Sequence, residues 1–362
     1  MKKEDLEMLD LALFTHNDMD GFGCQLVMDI TMAIIGKDTT NDVSYEVFTC
    51  TNNNIDYMVD KYVDDIYGFN LETVIIFSDI VPSEDCMRDL LKLDNELIDI
   101  SNVYVYDHHE SNLYVKDILY GNAHIYIDAY GLLYKECGTS LLYKACSQYL
   151  YDRGFNTDNI NAKLFSEIIE LIRLYDTYEW KTSNEINAKK LNILFSMIGG
   201  DNFVKKYYQR IMNKDPEGKV FSDTELEFIN SKYLYNQDII NRISPDDFVI
   251  TYIRGYKVAL LMKGIAANIN EIADKFLEEF PEFDAIVQLS MFGTWQFSIR
   301  SRKEGINSAK LFAEPINGGG HAQACGAPVP ESIKTALTNA VIEHLNGNNV
   351  SLMVLTDNED KE

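Results

Sequence analysis

Basic residues are scarce in this sequence. Its 362 residues include 32 Lys and Arg against 57 Asp and Glu, a formal charge of -25. A surface of that sign repels a long polyanion unless metal ions or a local basic patch intervene, which argues against a protein that coats nucleic acid or binds a long duplex. Cysteine is sparse as well. There are six thiols and no CxxC pair, so neither a disulfide scaffold nor a cysteine-ligated zinc site is expected. The first stretch, MKKEDLEMLDLALF, lacks the long apolar segment of a signal peptide. No run approaches the ~20 apolar residues of a bilayer span. The expectation is a cytoplasmic chain that does not engage a membrane.

What the sequence does contain is suited to folding. Hydrophobic residues make up 46% and charged residues 25%, a balance unlike that of disordered chains. The length favours two domains over one core. The acidic clusters at Asp60, Asp64 and Asp65, and from Asp357 to Glu362, read as solvated faces.

Periodicity predicts an α/β first half. Leu11–Thr15, Ser44–Thr49, Thr73–Ser78 and Val103–Tyr106 read as strands. Phe22–Ile35, Ile55–Ile66 and Ser83–Asn95 read as the helices between them, Ser83 being the cap of the last. This alternation predicts a mainly parallel sheet covered by helices. Helices follow over Thr139–Leu150, Ala162–Tyr175, Ala188–Gly200, Asn202–Met212 and Asp223–Tyr235. The polar stretch Asn236–Asp247 marks the best break. Three parts are expected: a catalytic domain over 1–200, a helical connector over 201–245 and a smaller α/β domain over 246–362. In the last, Phe248–Arg254 and Lys257–Leu261 are expected to form a hairpin about Gly255-Tyr256. A helix is expected at Asn268–Glu279, strands at Ala285–Leu289 and Trp295–Ile299 about a Phe292-Gly293 turn, and a short helix at Ser308–Ala313. A final helix, Glu331–Leu345, and a last strand, Val350–Leu355, complete this domain.

The strongest local signal is Thr15-His16-Asn17-Asp18-Met19-Asp20-Gly21, just past a predicted strand. His16, Asp18 and Asp20 alternate and would share one side of extended chain. Gly21 permits a sharp turn into the next helix. Ligands in α/β proteins bind beyond the carboxyl ends of parallel strands. Imidazole with carboxylates suits a divalent ion such as Mn²⁺, and clustered carboxylates repel one another without a cation. The pattern recurs. Asp79 follows the third strand, Asp107-His108-His109 follows the fourth, and Asp176 closes a helical stretch. Singly, Asp79 reads equally well as a helix cap, His108 as a satisfied surface residue, and Asp176 as a partner of Arg173. Cys24 and Cys325 read as small packing residues. In the second half, Gly318-Gly319-Gly320 reads as a turn whose N–H groups face a phosphate, with His321 as a further donor. Arg300, Arg302, Lys303 and Lys310 form a local basic stretch, in which Arg300 offers a bidentate phosphate contact. Tyr130, Phe292 and Trp295 are candidates to stack a base, although core packing is the commoner role.

On these motifs the chain resembles the DHH phosphoesterases with the associated C-terminal domain, and among them the oligoribonucleases called nanoRNases, of the NrnB type. The carrying residues are His16-Asn17-Asp18-Met19-Asp20-Gly21, then Asp79, Asp107-His108-His109, Asp176, Phe297-Ser298-Ile299-Arg300-Ser301 and Asn317 through Gly326. The resemblance implies two Mn²⁺ ions, with Mg²⁺ or another divalent ion as substitutes. His16, Asp18 and Asp79 would hold the first. Asp20, Asp79, His108 and Asp176 would hold the second, with Asp79 as the bridge. Asp79, Asp107 and His109 would be catalytic, Asp107 by orienting a ligand and His109 by facing the phosphate. Arg300, Ser301, Gly318, Gly319, Gly320 and His321 would bind substrate. A metal-activated water would cleave short oligoribonucleotides to 5′-mononucleotides, and a homodimer is compatible with this reading. The competing activities are a cyclic- or linear-dinucleotide phosphodiesterase, a single-strand DNA exonuclease and an inorganic pyrophosphatase. A noncatalytic metal-stabilised nucleotide sensor is the alternative outside catalysis.

Overall fold

A computed structural model describes residues 10–38, 44–65, 73–93, 99–122, 124–129, 135–214, 218–261, 269–290, 295–302, 305–320 and 322–346. Tyr130, Phe292, Lys303, His321, the Phe292-Gly293 turn, the Val350–Leu355 strand and the Asp357–Glu362 tail lie outside them. The chain divides into two compact units, Met1–Asp238 and Ile239–Glu362.

The first unit runs β1 (Asp10–His16), α1 (Met19–Asp38), β2 (Ser44–Cys50), α2 (Ile55–Asp65), β3 (Val74–Ser78), α3 (Glu84–Lys92), β4 (Val103–Asp107), α4 (Tyr114–Ile118) and β5 (Ile125–Ile127). The helices α5 (Gly138–Asp152), α6 (Ala162–Asp176), α7 (Ile186–Ile198), α8 (Gly200–Met212) and α9 (Asp223–Asn241) follow. All strand pairs are parallel, in the order β2-β1-β3-β4-β5. The chain therefore reverses its direction of sheet growth beside β1, and β1 and β3 flank the switch point where open α/β sheets place ligands.

Two-residue alternation sorts the strand side chains between two cores. Leu11, Leu13 and Ile76 join one buried cluster with Leu26 and Ile30 of α1, Ile168 and Ile172 of α6, and Phe203 and Tyr207 of α8. Ala12, Phe14, Ile75 and Phe77 join the other with Val59 of α2 and Met87 of α3. Both faces are covered, which explains why these strands read as nearly unbroken apolar runs. Ser83 caps α3 by accepting from the Cys86 N–H, as its sequence position predicts. One expectation needs correcting. Met19–Gly36 of α1 is long and apolar enough to cross a membrane, but 67% of that window is buried inside the unit, so its apolarity is spent on packing.

The second unit carries β6 (Val249–Ile253), β7 (Tyr256–Leu261), α10 (Ile269–Glu279), β8 (Ala285–Ser290), β9 (Gln296–Arg300), β10 (Gly319–Gly320), β11 (Ala324–Pro328) and α11 (Glu331–Leu345). Its sheet is mixed, in the order β10-β11-β9-β8-β7-β6, with only β7 and β8 parallel. The β6–β7 turn falls at Arg254-Gly255, one residue earlier than expected, because both residues have positive φ (54° and 85°). That is the type I′ geometry that suits a two-residue hairpin. The short helix expected at Ser308–Ala313 is a single wide π-type turn over Ala309–Ala313. Gly319 and Gly320 form a two-residue edge strand where a turn was expected. Gly319 pairs with Gly326 and Gly320 with Cys325. A Cβ on Gly318 would lie 2.2 Å from the Gly326 carbonyl oxygen, so this glycine is required by close backbone approach.

Candidate metal centre

The tips of β1, β3 and β4 and the last turn of α6 bring the predicted acids and histidines together. At the first tip, α1 begins only two residues after β1 ends. That short link demands Gly21, where a Cβ would sit 1.8 Å from the His16 carbonyl oxygen. Thr15 Oγ1 donates to the Gly21 carbonyl at 3.0 Å, and the Gly21 N–H donates to Asp18 Oδ1 at 3.1 Å. His16 Nδ1 lies 2.8 Å from Asp18 Oδ2 and 4.0 Å from Asp79 Oδ2. Burial opposes ionisation of Asp18, but His16 and the Gly21 N–H outweigh it and hold this carboxyl well below the usual range. Burial also opposes charging His16, and Asp18 reverses the balance and raises it.

Asp79 stands at the middle of the cluster. Its φ of 62° is a left-handed value that non-glycine residues seldom adopt, and such strain gathers at functional sites. The conformation is fixed by its N–H, which donates to the Tyr106 carbonyl at 3.0 Å. Gly138 of α5 leaves room for it, since a Cβ there would come within 2.5 Å of the Asp79 Cβ. His108 Nε2 lies 3.4 Å from Asp79 Oδ1, 3.2 Å from Asp176 Oδ2 and 4.0 Å from Asp20 Oδ2. Asp176 sits at the C-terminal end of α6, where the helix dipole disfavours a negative charge. Its sequence neighbour Arg173 reaches Glu170, Glu179 and the Lys135 carbonyl.

Three partners were not visible in the sequence. The Gly138 and Thr139 N–H groups at the start of α5 donate to Asp20 Oδ2 and Oδ1 at 2.7 and 2.9 Å. Asn112 donates to Asp107 Oδ2, while Asp107 Oδ1 accepts from the His108 N–H at 2.8 Å and meets His109 Nδ1 at 2.7 Å. Burial opposes the Asp107 charge, but His109 overcomes it and draws the carboxyl well below its ordinary range. Asp107 therefore ties down the His-His tip. A cap-like Thr139 and an Asn five residues after Asp107 were the only available signals for these partners.

The remaining electrostatics call for a cation. Burial, followed by Asp20, Asp18 and Asp176, pushes Asp79 well above the normal carboxyl range, and burial with Asp20 and Asp18 does the same to Asp176. Asp79 Oδ2 and Asp176 Oδ2 are buried without a hydrogen-bond partner. Such orphaned oxygens are costly in a protein interior and are what a bound ion satisfies. Among the described residues, three groups have ligand atoms within 4.8 Å of one another: His16 with Asp18 and Asp79, Asp20 with His108 and Asp176, and Asp79 with Asp107, His108 and His109. An oxygen set with imidazole suits Mn²⁺ or a neighbouring divalent ion. Cys24 takes no part. Ser78 Oγ donates to its sulfur at 3.1 Å, and burial pushes its thiol well above the ordinary range.

The second-unit candidates are engaged by the fold. Arg300 Nε donates to Asn270 Oδ1, and Arg300 Nη1 donates to the Ile299 and Cys325 carbonyls at 2.8 and 3.1 Å. Ser301 is fully buried and its hydroxyl donates to the Asp284 carbonyl at 2.8 Å. Arg302 Nε meets Asp274 at 2.6 Å. Gly319 has open space where a side chain would be.

No family model matches the sequence. One curated relative, oligoribonuclease NrnB of Bacillus subtilis strain 168, is 27% identical over 322 residues, covering 89% of this chain and 73% of the relative. Among solved structures, RecJ of Thermus thermophilus in complex with Mn²⁺ aligns over 94% of this chain and 52% of its own, at 14% identity and a TM-score of 0.50. The pGpG-specific phosphodiesterase PggH of Vibrio cholerae aligns over 94% of this chain and 100% of its own, at 13% identity and a TM-score of 0.46. Together with the similarity to NrnB, the ligand clusters support a metal-dependent phosphoesterase. The order of the motifs and the similarity to NrnB support its assignment to the DHH nucleases with the associated C-terminal domain.

Proposed function

We propose that the protein hydrolyses short oligoribonucleotides to 5′-mononucleotides, using two divalent ions, with Mn²⁺ preferred. The observation that carries this reading is Asp79, a buried, backbone-strained carboxylate that belongs to two of the ligand groups and retains an orphaned oxygen. His16, Asp18 and Asp79 would hold one ion, and Asp20, Asp79, His108 and Asp176 the other. When bound, such a pair acidifies water and offsets charge on a phosphoryl group. The protein's own share is positioning. The α5 N-terminus fixes Asp20, Asp107 orients His109 toward the phosphate, and Gly138 leaves the room that Asp79 occupies. We assign the substrate's nucleotide end to Arg300, the Gly318–Gly320 run and His321, with the fully buried Ser301 supporting them through its bond to the Asp284 carbonyl. Two features support short RNA: the likeness to NrnB, and a net charge of -25 that disfavours each added phosphate. We place the enzyme in the cytoplasm, acting without a membrane or a duplex partner.

The decisive experiment gives chelated protein Mn²⁺, Mg²⁺ or Zn²⁺, then matched RNA and DNA series from the dimer upward, linear and cyclic dinucleotides, and pyrophosphate. The expected result is a kcat/KM maximum at short RNA with 5′-mononucleotides released. Full activity without metal would overturn the chemistry. Faster cleavage of cyclic dinucleotides or of long single-stranded DNA would overturn the substrate assignment alone.

A further inference from the structure

Among the described residues, the two edges of the second-unit sheet differ. At one edge β10 is only two residues long. At the other, β6 is five residues long, carries neither charge nor proline, and leaves Val249, Ile250 and Tyr252 exposed by 55%, 51% and 69%. Soluble proteins usually shorten, charge or cover such an edge, because its outward N–H and C=O groups invite another strand.

The hairpin geometry states which groups face outward. With a two-residue type I′ turn at Arg254-Gly255, Ile253 and Tyr256 form the closing hydrogen-bonded pair. Alternation along an antiparallel ladder then directs the backbone groups of Val249, Thr251 and Ile253 to β7, and those of Ile250 and Tyr252 away from it. We infer that β6 is a self-association edge, pairing antiparallel with β6 of a second copy about a twofold axis at Thr251.

That register is the one in which the outward groups meet. Ile250 faces Tyr252 of the partner subunit, and Tyr252 faces Ile250 of the partner subunit. A β-branched residue opposite an aromatic one is a favourable cross-strand pair. The flanking charges match as well. Asp246 and Asp247 precede the strand and Arg254 follows it. Antiparallel pairing brings the Arg254 end of each copy to the acidic end of the other. Asp247 is already held in place, accepting from the Ser244 N–H at 3.0 Å. For a chain of net charge -25, an uncharged strand with ends of opposite sign is a favourable place for two copies to approach. The interface is isologous, so it closes as a dimer and does not propagate into a fibre.

The test uses the full-length protein and reads mass, so it is independent of any activity. Wild type is expected to show a concentration-dependent monomer–dimer equilibrium in sedimentation. Thr251→Cys lies on the axis, at a non-hydrogen-bonded pair whose Cα spacing of ~4.5 Å falls in the disulfide range. Mild oxidation should therefore yield a covalent dimer, whereas the exposed α9 control Ser231→Cys should form no covalent dimer. The double variant Ile250→Lys with Tyr252→Lys should be monomeric with an unchanged circular-dichroism spectrum. Ile250→Lys with Tyr252→Glu should dimerise again, because each Lys then faces a Glu. Three results would overturn the inference: wild type monomeric up to its solubility limit, a dimer that persists in the double-Lys variant, or a dimer that Thr251→Cys fails to cross-link.

Discussion

The strand tips of the first unit and the β9–β11 region of the second both hold candidate site residues, but in opposite conditions. At the tips, carboxylates are packed together with oxygens left unsatisfied, and Asp79 holds a strained backbone. In the second unit, the Nε and Nη1 donors of Arg300 and the Ser301 hydroxyl are spent on Asn270 and on main-chain carbonyls. A polar group with unmet bonding capacity is poised to take a ligand, whereas one whose capacity is used up first of all holds its own fold together. The contrast predicts that matched substitutions act on chemistry in one region and on stability in the other.

The largest effect is expected from Asp79→Asn. Asn tolerates the left-handed backbone, so the fold should survive. Metal content should fall, and kcat/KM should drop on the order of 10³-fold, a loss of ~4 kcal/mol. Metal analysis and kinetics on the same preparation check this, and normal occupancy would remove Asp79 from its shared role. Asn112→Ala comes next. It leaves Asp107 short of a donor, so metal affinity should weaken by about 10- to 100-fold, as for other residues that orient ligands. Isothermal titration with Mn²⁺ reads this directly, and unchanged affinity would confine Asn112 to the fold.

The comparison is sharpened by treating Arg300→Ala and Asn270→Ala as a pair. If Arg300 acts chiefly through its bonds within the unit, both should lower the unfolding free energy, each by roughly 1.5–3 kcal/mol for a charge-assisted hydrogen bond. If Arg300 also holds phosphate, only Arg300→Ala should raise KM beyond the loss seen for Asn270→Ala. The smallest effect concerns Asp29 on α1, whose carboxyl is raised by burial to about 6. A carboxyl with a raised pKa supports the fold while protonated. Its contribution is complete below about pH 4 and is lost as pH climbs through about 6. Asp29→Asn should therefore gain on wild type by about 1 kcal/mol between about pH 4 and pH 7, after discounting for partial solvent screening. A pH-independent difference in denaturant unfolding would contradict that assignment.

Much of the first unit was legible because both sheet faces are buried, so its strands announce themselves as apolar runs ended by His or Asp. Most ligand positions followed from the same runs, since His16, Asp18, Asp79 and His108 lie at or within two residues of a strand end, whereas Asp20 falls in the first turn of α1 and Asp176 closes α6. Three-residue β5 and the small-residue strands β10 and β11 left no such periodic trace. The contributions of Gly138, Thr139 and Asn112 were hidden for a different reason. They act through backbone amides or a side-chain donor whose partner is set by tertiary packing, which spacing in a sequence does not encode.

The anchoring of Asp20 by the start of α5 has a kinetic consequence. Asp20 and Gly138 are separated by 118 positions along the chain. The centre therefore closes only after a long loop has been brought together, a step whose entropic cost falls early and whose reward comes late. Ions bound there would stabilise interactions formed after the rate-limiting barrier. Their signature is a slower unfolding limb with an unaltered refolding limb, so metal lengthens the lifetime of the folded protein without hastening its birth.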